Sequence, residues 1–364
     1  MKVGMMFPDR NSEKAISGYS CTLTENMRKT GIPIEDVTYF AGKPWSIIKK
    51  IWKIKKFDVI HIQHEYNLLG WYGIPFFILY FILFFSKIKV VTTMHTALSM
   101  KENFNGNKLK TILRKILYFT QNRMIKWISS KTVVHANFFK EILCKEYGFN
   151  KKDILVFPQA IIENVKITPK NKAKRELNLS GPVYLFMGEI VPDHGQDIII
   201  KQTKNIGPTI LVVGSPFSVN DRNSSRVKSY LKENQDYVKE ENLDKIVRFD
   251  IFKMDDKKQE WWNYFCAADL VLLPYRGGIG SGIFAHAMAT ETPVVASNIK
   301  FFNEISKKFG CLKITKKESD YPKVIKESMK PKNLKRMIKE CKRYKKIFGL
   351  TPFSKKYKRL YEKL

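Results

Sequence analysis

The chain has 364 residues, 44% of them hydrophobic, and carries 65 Lys and Arg against 34 Asp and Glu, a formal net charge of +31. That length allows two domains of ordinary size, each with its own core, and the apolar fraction excludes a disordered chain. Five scattered cysteines (Cys21, Cys144, Cys266, Cys311, Cys341) form no C-x-x-C pair, which excludes a disulfide scaffold or thiolate zinc site and suits a reducing compartment.

Along the chain, short apolar runs alternate with longer helical patterns, the sign of βαβ units around parallel sheets. Strands are predicted at 2–7, 34–40, 58–62, 88–94, 131–135 and 154–157. A second series follows near 182–187, 209–213, 246–249, 269–273, 293–296 and 311–314. The first run passes straight into polar residues, so it reads as a strand and not as a signal peptide. The polar stretch 161–180, with Pro169, marks the domain boundary. The fold class expected is α/β, with two doubly wound domains facing a cleft and ligands at the carboxyl ends of the strands.

Two helical segments are strongly basic without any acid, and residues 312–364 are helical in character and again very basic. Residues 46–57 hold five lysines and a tryptophan, and residues 108–131 hold seven basic residues and no acid. Both have the pattern of interfacial helices, cations on one side and apolar or aromatic residues on the other, so an anionic membrane surface is an expected partner. Solvated helix faces are the alternative. Between them, residues 71–85 are uncharged but number only fifteen, fewer than the roughly 20 needed to span a bilayer. That segment reads as a buried crossover helix or one that dips into a membrane. No zinc-finger spacing or basic heptad region appears, so nucleic acid is not expected as a partner, and a nucleic-acid-associated transferase rests on charge alone.

The densest chemical signal is residues 267–289. A buried strand ends at Pro274, a turn holds Gly277, Gly278, Gly280 and Gly282, and an alanine-rich helix starts near Ser281. Such a turn forms an anion seat from the N–H groups of Ser281, Gly282 and Ile283, although an ordinary crossover has the same outline. Arg276 stands beside it as a charged fork for phosphate or as an ion pair on the strand's end.

The run "AADLVLLPYRGGIGSGIFAHAMATETPVVAS" resembles the donor-site signature of the family-four retaining nucleotide-sugar glycosyltransferases, group 1, which have the GT-B fold. The segment 186–190 with His194-Gly195, the strand 210–214, and Val247-Arg248-Phe249 resemble further pieces in the family's order. The similarity spans nearly the whole chain and is strongest over about 181–304. It implies an acceptor-side domain at 1–165, a nucleotide-sugar donor domain at 166–345, and a closing helix at 346–364 that returns to the first domain.

Retaining chemistry of this kind depends on fixed donors that meet charge growing on the diphosphate, more than on a nucleophile. The resemblance implies a donor loop at Gly188, with Glu189 and His194 where the family has Arg and Lys, and a neighbouring strand end at Gly214. It puts Ile251 and Phe252 near the base, and Gly278 and His286 where the family has a pair of glutamates. His286 is then expected at the ribose, and Glu304 resembles a downstream acid. In the first domain His95 resembles the histidine near the reacting sugar, Glu65 is a candidate acceptor ligand or base, and Gly18 resembles a glycine loop after the first strand. His95, Glu65 and His286 are thus the catalytic candidates. The co-substrate expected is a UDP- or GDP-linked sugar, with no cofactor and no metal. The acceptor is a glycan or lipid-linked molecule, and the site of action is the cytoplasmic face of the cell membrane. A catalytically silent GT-B protein that binds nucleotide or glycan is the alternative.

Overall fold

The structure is a computed structural model. It describes residues 1–12, 15–43, 45–66, 68–101, 108–207, 209–215, 224–252, 258–278 and 280–364, so Ile279 of the glycine turn lies outside the described residues. The chain divides into two compact units, Met1–Ala160 with Leu350–Leu364, and Ile161–Gly349.

The first unit holds β1 (Val3–Pro8), β2 (Ile34–Tyr39), β3 (Val59–His64), β4 (Lys89–Met94), β5 (Lys131–Val134) and β6 (Ile154–Val156). All pair in parallel, in the order β2-β1-β3-β4-β5-β6. Central strands of a parallel sheet are covered on both faces and therefore read as apolar runs. Every residue of β1 and β3 is buried, whereas edge strand β2 buries only Ile34, Val37 and Tyr39. Its helices are α1 (Ala15–Lys29), α2 (Trp45–Ile54), α3 (Pro75–Phe84), α4 (Lys108–Ile128) and α5 (Asn137–Tyr147). α3 starts on a proline, where a missing N–H costs nothing, and α5 stops at Gly148 in the left-handed region.

The second unit holds β7 (Tyr184–Glu189), β8 (Ile210–Ser215), β9 (Val247–Ile251), β10 (Leu270–Leu273), β11 (Val294–Ser297) and β12 (Leu312–Thr315). They form a parallel sheet in the order β12-β11-β10-β7-β8-β9. Its helices are α6 (Lys170–Glu176), α7 (Gln196–Ile206), α8 (Ser224–Glu240), α9 (Gln259–Ala267), α10 (Gly282–Ala289), α11 (Lys300–Ser306), α12 (Tyr321–Ser328) and α13 (Pro331–Phe348). At the sheet's lower edge Asp269 takes bonds from Lys170, Lys174 and the N–H of Val183. Burial pushes its carboxyl up, and those bonds outweigh burial and hold it below its ordinary range.

A last helix, α14 (Leu350–Tyr361), belongs to the first unit and packs on α1. Phe353, Tyr357, Leu360 and Tyr361 recur on one helical face and are all buried. Tyr361 bonds His61 Nδ1 at 2.6 Å, and Thr93 bonds its Nε2 at 2.7 Å.

Both units are therefore doubly wound α/β sheets, as the strand pattern predicts. In the second unit the strand order reverses between β7 and β10. In the first it reverses between β1 and β3. Such switch points leave a crevice at the carboxyl ends of the strands.

Candidate functional site

At the second unit's switch point, the loops after β7 and β10 are tied to each other. Gly188, next to last in β7, has φ 138°, a region that favours glycine, and a Cβ there would sit 3.6 Å from Ile283 and 3.8 Å from His194. His194 Nδ1 donates to the Glu189 carbonyl at 2.8 Å, and its ring stacks on Tyr275, centroids 4.8 Å apart. Tyr275 in turn meets Ser281 Oγ at 3.1 Å. Ser281 caps α10 by accepting the N–H of Phe284 at 3.1 Å, and its carbonyl takes the N–H of Ala285. The first-turn N–H groups that the helix itself does not use are then those of Gly282 and Ile283. Gly188, His194, Ser281, Gly282 and Ile283, chosen from sequence alone, thus stand together. Tyr275 joins them beneath His194.

Gly195 lets these loops touch. A Cβ there would lie 2.1 Å from the Pro274 carbonyl oxygen. Arg276 closes the same seam, giving two bonds to Asp197 at 2.8 and 2.7 Å and one to the Pro192 carbonyl at 2.8 Å. Burial pushes the Asp197 carboxyl up, but Arg276 and Tyr230 outweigh it and hold it low, while Asp197 raises Arg276. In this structure, then, the Arg276 fork is already engaged by protein oxygens.

Gly214, on β8, approaches so closely that a Cβ would lie 2.0 Å from the Gly188 carbonyl oxygen. Ile251 pairs with Gly214 across β8 and β9, and Phe252 donates its N–H to the Gly214 carbonyl at 3.0 Å. Phe252 is half-buried and stacks on Tyr264. His286 lies one turn into α10, its ring bordered by Trp261, Trp262 and Phe265 of α9 at 5.0 to 5.9 Å. Glu304 is half-buried on α11. Gly278 has φ 142°.

In the first unit, the candidates stand at neighbouring strand ends. His95 follows β4 and donates its N–H to the His64 carbonyl that ends β3. Glu65 accepts from Thr96 Oγ1 at 2.5 Å and from the Tyr66 N–H at 3.2 Å, and burial raises its carboxyl. Sequence reasoning misses the residue that completes this cluster, His135. Met94 and Val134 are register partners on β4 and β5, so the histidine that follows each strand meets the other, with His135 Nε2 3.2 Å from His95 Nδ1. Two strands each ending in an apolar residue and histidine are the signal that finds it.

The hydrogen bonds count protons. His135 Nδ1 donates to the Phe157 carbonyl at 2.9 Å, and His95 Nε2 faces Gln63 Oε1 at 2.8 Å. Both outer oxygens only accept, so two rings joining them need three N–H protons, one more than two neutral imidazoles carry. Burial pushes both histidines toward the neutral form. The neutral pair therefore requires Gln63 to turn its amide so that NH2 faces His95. Gln63's nitrogen otherwise rests on the Met5 sulfur at 3.2 Å, a weak acceptor.

One expectation is corrected. Gly18 lies not in a loop but in the first turns of α1, where it is exposed and its carbonyl accepts from Thr22. The serines and threonines around it are buried within a helix whose inner face takes Ser17, Ser20 and Thr24.

Comparison with known proteins follows the same division. The family description "Glycosyltransferase Family 4" matches residues 14–163, and "Glycosyl transferases group 1" matches residues 167–346. No curated protein matches the chain by sequence. Among solved structures, Anabaena HepE in complex with UDP is 14% identical with a TM-score of 0.73, each chain covered in full. Sucrose-phosphate synthase from Thermosynechococcus elongatus is 16% identical with a TM-score of 0.73, covering 100% of this chain and 98% of the other. An alpha,alpha-trehalose-phosphate synthase from Burkholderia xenovorans, in complex with glucose-6-phosphate, is 9% identical with a TM-score of 0.66, covering 87% and 75%. With both halves matched and the architecture shared, the chain belongs to the group 1, family-four-like glycosyltransferases of GT-B fold.

Proposed function

We propose that this glycosyltransferase transfers a sugar from a UDP- or GDP-linked donor, with retention and without a metal, to a glycan or lipid-linked acceptor at a membrane surface. The observation that carries the donor half is the cluster at the β7–β10 switch point. It brings two helix-start N–H groups that α10 itself does not use, a glycine at φ 138° and His194 to one place. Backbone donors fixed before the reaction lower the cost of charge appearing on a leaving diphosphate. In this reading Gly282 and Ile283 hold the diphosphate, with His194 beside it and Gly188 giving room. Glu189 contacts a sugar hydroxyl, and Gly214, Ile251 and Phe252 line the base. His286 and Glu304 serve the ribose, and Arg276 keeps the two loops in register. His95 and Glu65 act at the reacting sugar and the acceptor hydroxyl.

The membrane half is supported by the exposed apolar residues of α3 and α4, among them Phe81, Phe84, Ile112 and Ile116, and by the basic residues of 46–57 and 108–131. The cytoplasmic face of the cell membrane remains the proposed site of action. Among the described residues no helix is long and apolar enough to cross a membrane.

Calorimetry with UDP and GDP, followed by donor-hydrolysis assays with chelator present, tests the reading. Saturable binding of one nucleotide that falls about tenfold or more in His194→Ala is the expected result. Absence of binding to either overturns it. Engagement of Arg276 by Asp197, and the aromatic surround of His286, favour the silent binding protein as a second reading. That reading predicts nucleotide binding with no turnover of any donor.

A further inference from the structure

The first unit carries a second concavity that none of the residues above occupies. A cavity of about 640 Å3 opens beside the carboxyl ends of β1 and β2, lined by Asp9, Phe40, Lys43, Trp45, Lys50 and Trp71, among others. Its size lies within the range of small-ligand sites. Three of its walls are aromatic surfaces left in water: Phe40 is 46% exposed, Trp45 66% and Trp71 61%. Single exposed aromatics need no explanation, but three converging on one hollow form a patch that calls for a ligand.

The backbone around the hollow is held deliberately. Trp71 has φ 47°, a left-handed conformation that a bulky residue avoids, and follows Gly70 at φ 74°. A Cβ on Gly70 would lie 3.3 Å from Gly42 Cα, and the Gly42 N–H donates to the Leu68 carbonyl at 3.0 Å. The two loops thus press backbone to backbone and carry Trp71 and Phe40 into the lining of the hollow. Strain of this kind persists where surrounding structure imposes it, and it gathers at ligand clamps.

Charge selects the ligand. The lining holds two lysines, Lys43 and Lys50, and one carboxylate, Asp9, and Lys43 Nζ lies 5.7 Å over the Phe40 ring. The first turn of α2, a helix of ten residues beginning at Trp45, adds its positive end to the same rim. Asp9 Oδ1 accepts the Asn11 N–H at 3.0 Å, which orients this lining carboxylate as a hydrogen-bond acceptor. Flat aromatic faces fit the C–H face of a sugar ring, the lysines fit an acidic substituent, and the aspartate fits a hydroxyl.

We propose that this cavity binds an anionic sugar, a pyranose ring bearing phosphate or carboxylate, with the ring against Trp45 and Trp71 and the charge at Lys43 and Lys50. The proposal deepens the transferase reading by naming the class of acceptor, and it rests on that reading only for the word acceptor. A bilayer surface would also meet aromatics and lysines, but it would leave the hollow and Asp9 unused.

The test is calorimetry with glucose, glucose 1-phosphate and glucuronate, each titrated with UDP at saturation so that the second unit's candidate nucleotide seat is filled. At least one anionic probe is expected to bind about tenfold or more tightly than glucose, and the stronger of the two tells phosphate from carboxylate. Trp71→Ala and the double variant Lys43→Gln/Lys50→Gln should each lose about tenfold or more of that affinity. Both residue sets are at the surface, so circular dichroism, Tm and UDP affinity should stay unchanged. No preference for the anionic probes, or undiminished binding in both variants, overturns the proposal, as does a loss confined to anionic vesicles. UDP binding without anionic-sugar binding removes this inference alone. Anionic-sugar binding with binding of neither UDP nor GDP removes the donor reading alone.

Discussion

Gly214 and His135 illustrate how single residues set the two candidate centres. Gly214→Ala would force a methyl onto the Gly188 carbonyl, backbone against backbone, with no flexible side chain to yield. The strands must part, at a cost of about 2 kcal/mol or more, and the donor loop would move with them. A lower urea midpoint together with weakened UDP binding is the expected outcome, and unchanged values of both would contradict it. His135 acts through His95, so its replacement should change chemistry more than affinity. His135→Phe removes the Nε2 partner of His95 and should lower turnover about tenfold or more while UDP affinity stays the same. The ring tautomer of His95, read by 15N NMR, should change in the same variant. A parallel loss of UDP affinity would mean that His135 only holds the fold. Ser281 was legible because a glycine turn before a helix leaves a local mark, and Gly188 and His194 because the family resemblance implies a donor loop there. His135, Gln63 and Tyr275 were not, since a cross-strand register or a ring stacked beneath another has no local signature.

Helices α3 and α4 reverse the usual polarity of surface helices. α4 buries Tyr118, Gln121, Asn122 and Ile125, while Leu109, Ile112, Leu113, Ile116 and Trp127 lie exposed along the opposite side. α3 exposes Ile78, Phe81 and Phe84, with Phe85 just beyond, and the two helices pack together around an apolar hollow of about 200 Å3 between Phe81, Phe84, Phe85 and Trp127. With Lys108, Lys110, Arg114 and Lys115 on the same helix, this face has the composition of an interfacial surface. Phe85→Glu combined with Ile116→Glu should cut sedimentation with anionic vesicles about tenfold or more and leave UDP binding intact. Equal sedimentation of variant and parent would remove the membrane reading. Both elements were predictable as helices from periodicity and composition. Which side of α3 met the core was not, because an apolar run with no polar face offers no phase.

The molecule's response to pH should differ between its two units. His61 and His64 are fully buried in the first unit, and burial lowers each to about 3. Below the ordinary histidine value of about 6.5 the unfolded chain gains protons that the folded unit refuses. The stability these rings contribute is thus complete above about pH 6.5 and is lost as pH falls toward 3, by up to about 1.4 kcal/mol per pH unit for each ring. Urea midpoints of the first unit should drop between pH 7 and 5, and a flat profile would contradict the assignment. At this scale the sequence revealed two sheets and their strands, because parallel strands buried on both faces stand out as apolar runs. It did not reveal the pocket of Trp45 and Trp71, which depends on two glycine loops meeting. The placement of α14 has a further consequence for synthesis. The first unit is built from both ends of the chain, whereas the second is one continuous segment. On the ribosome, residues 1–160 must therefore wait for residues 350–364 to complete their unit. The second unit can close beforehand, while β3 and β4 still lack the tyrosines that cover His61 and Thr93. Translation order and folding order are thus inverted, and a chain stopped before Leu350 would leave its earliest-made half unfinished.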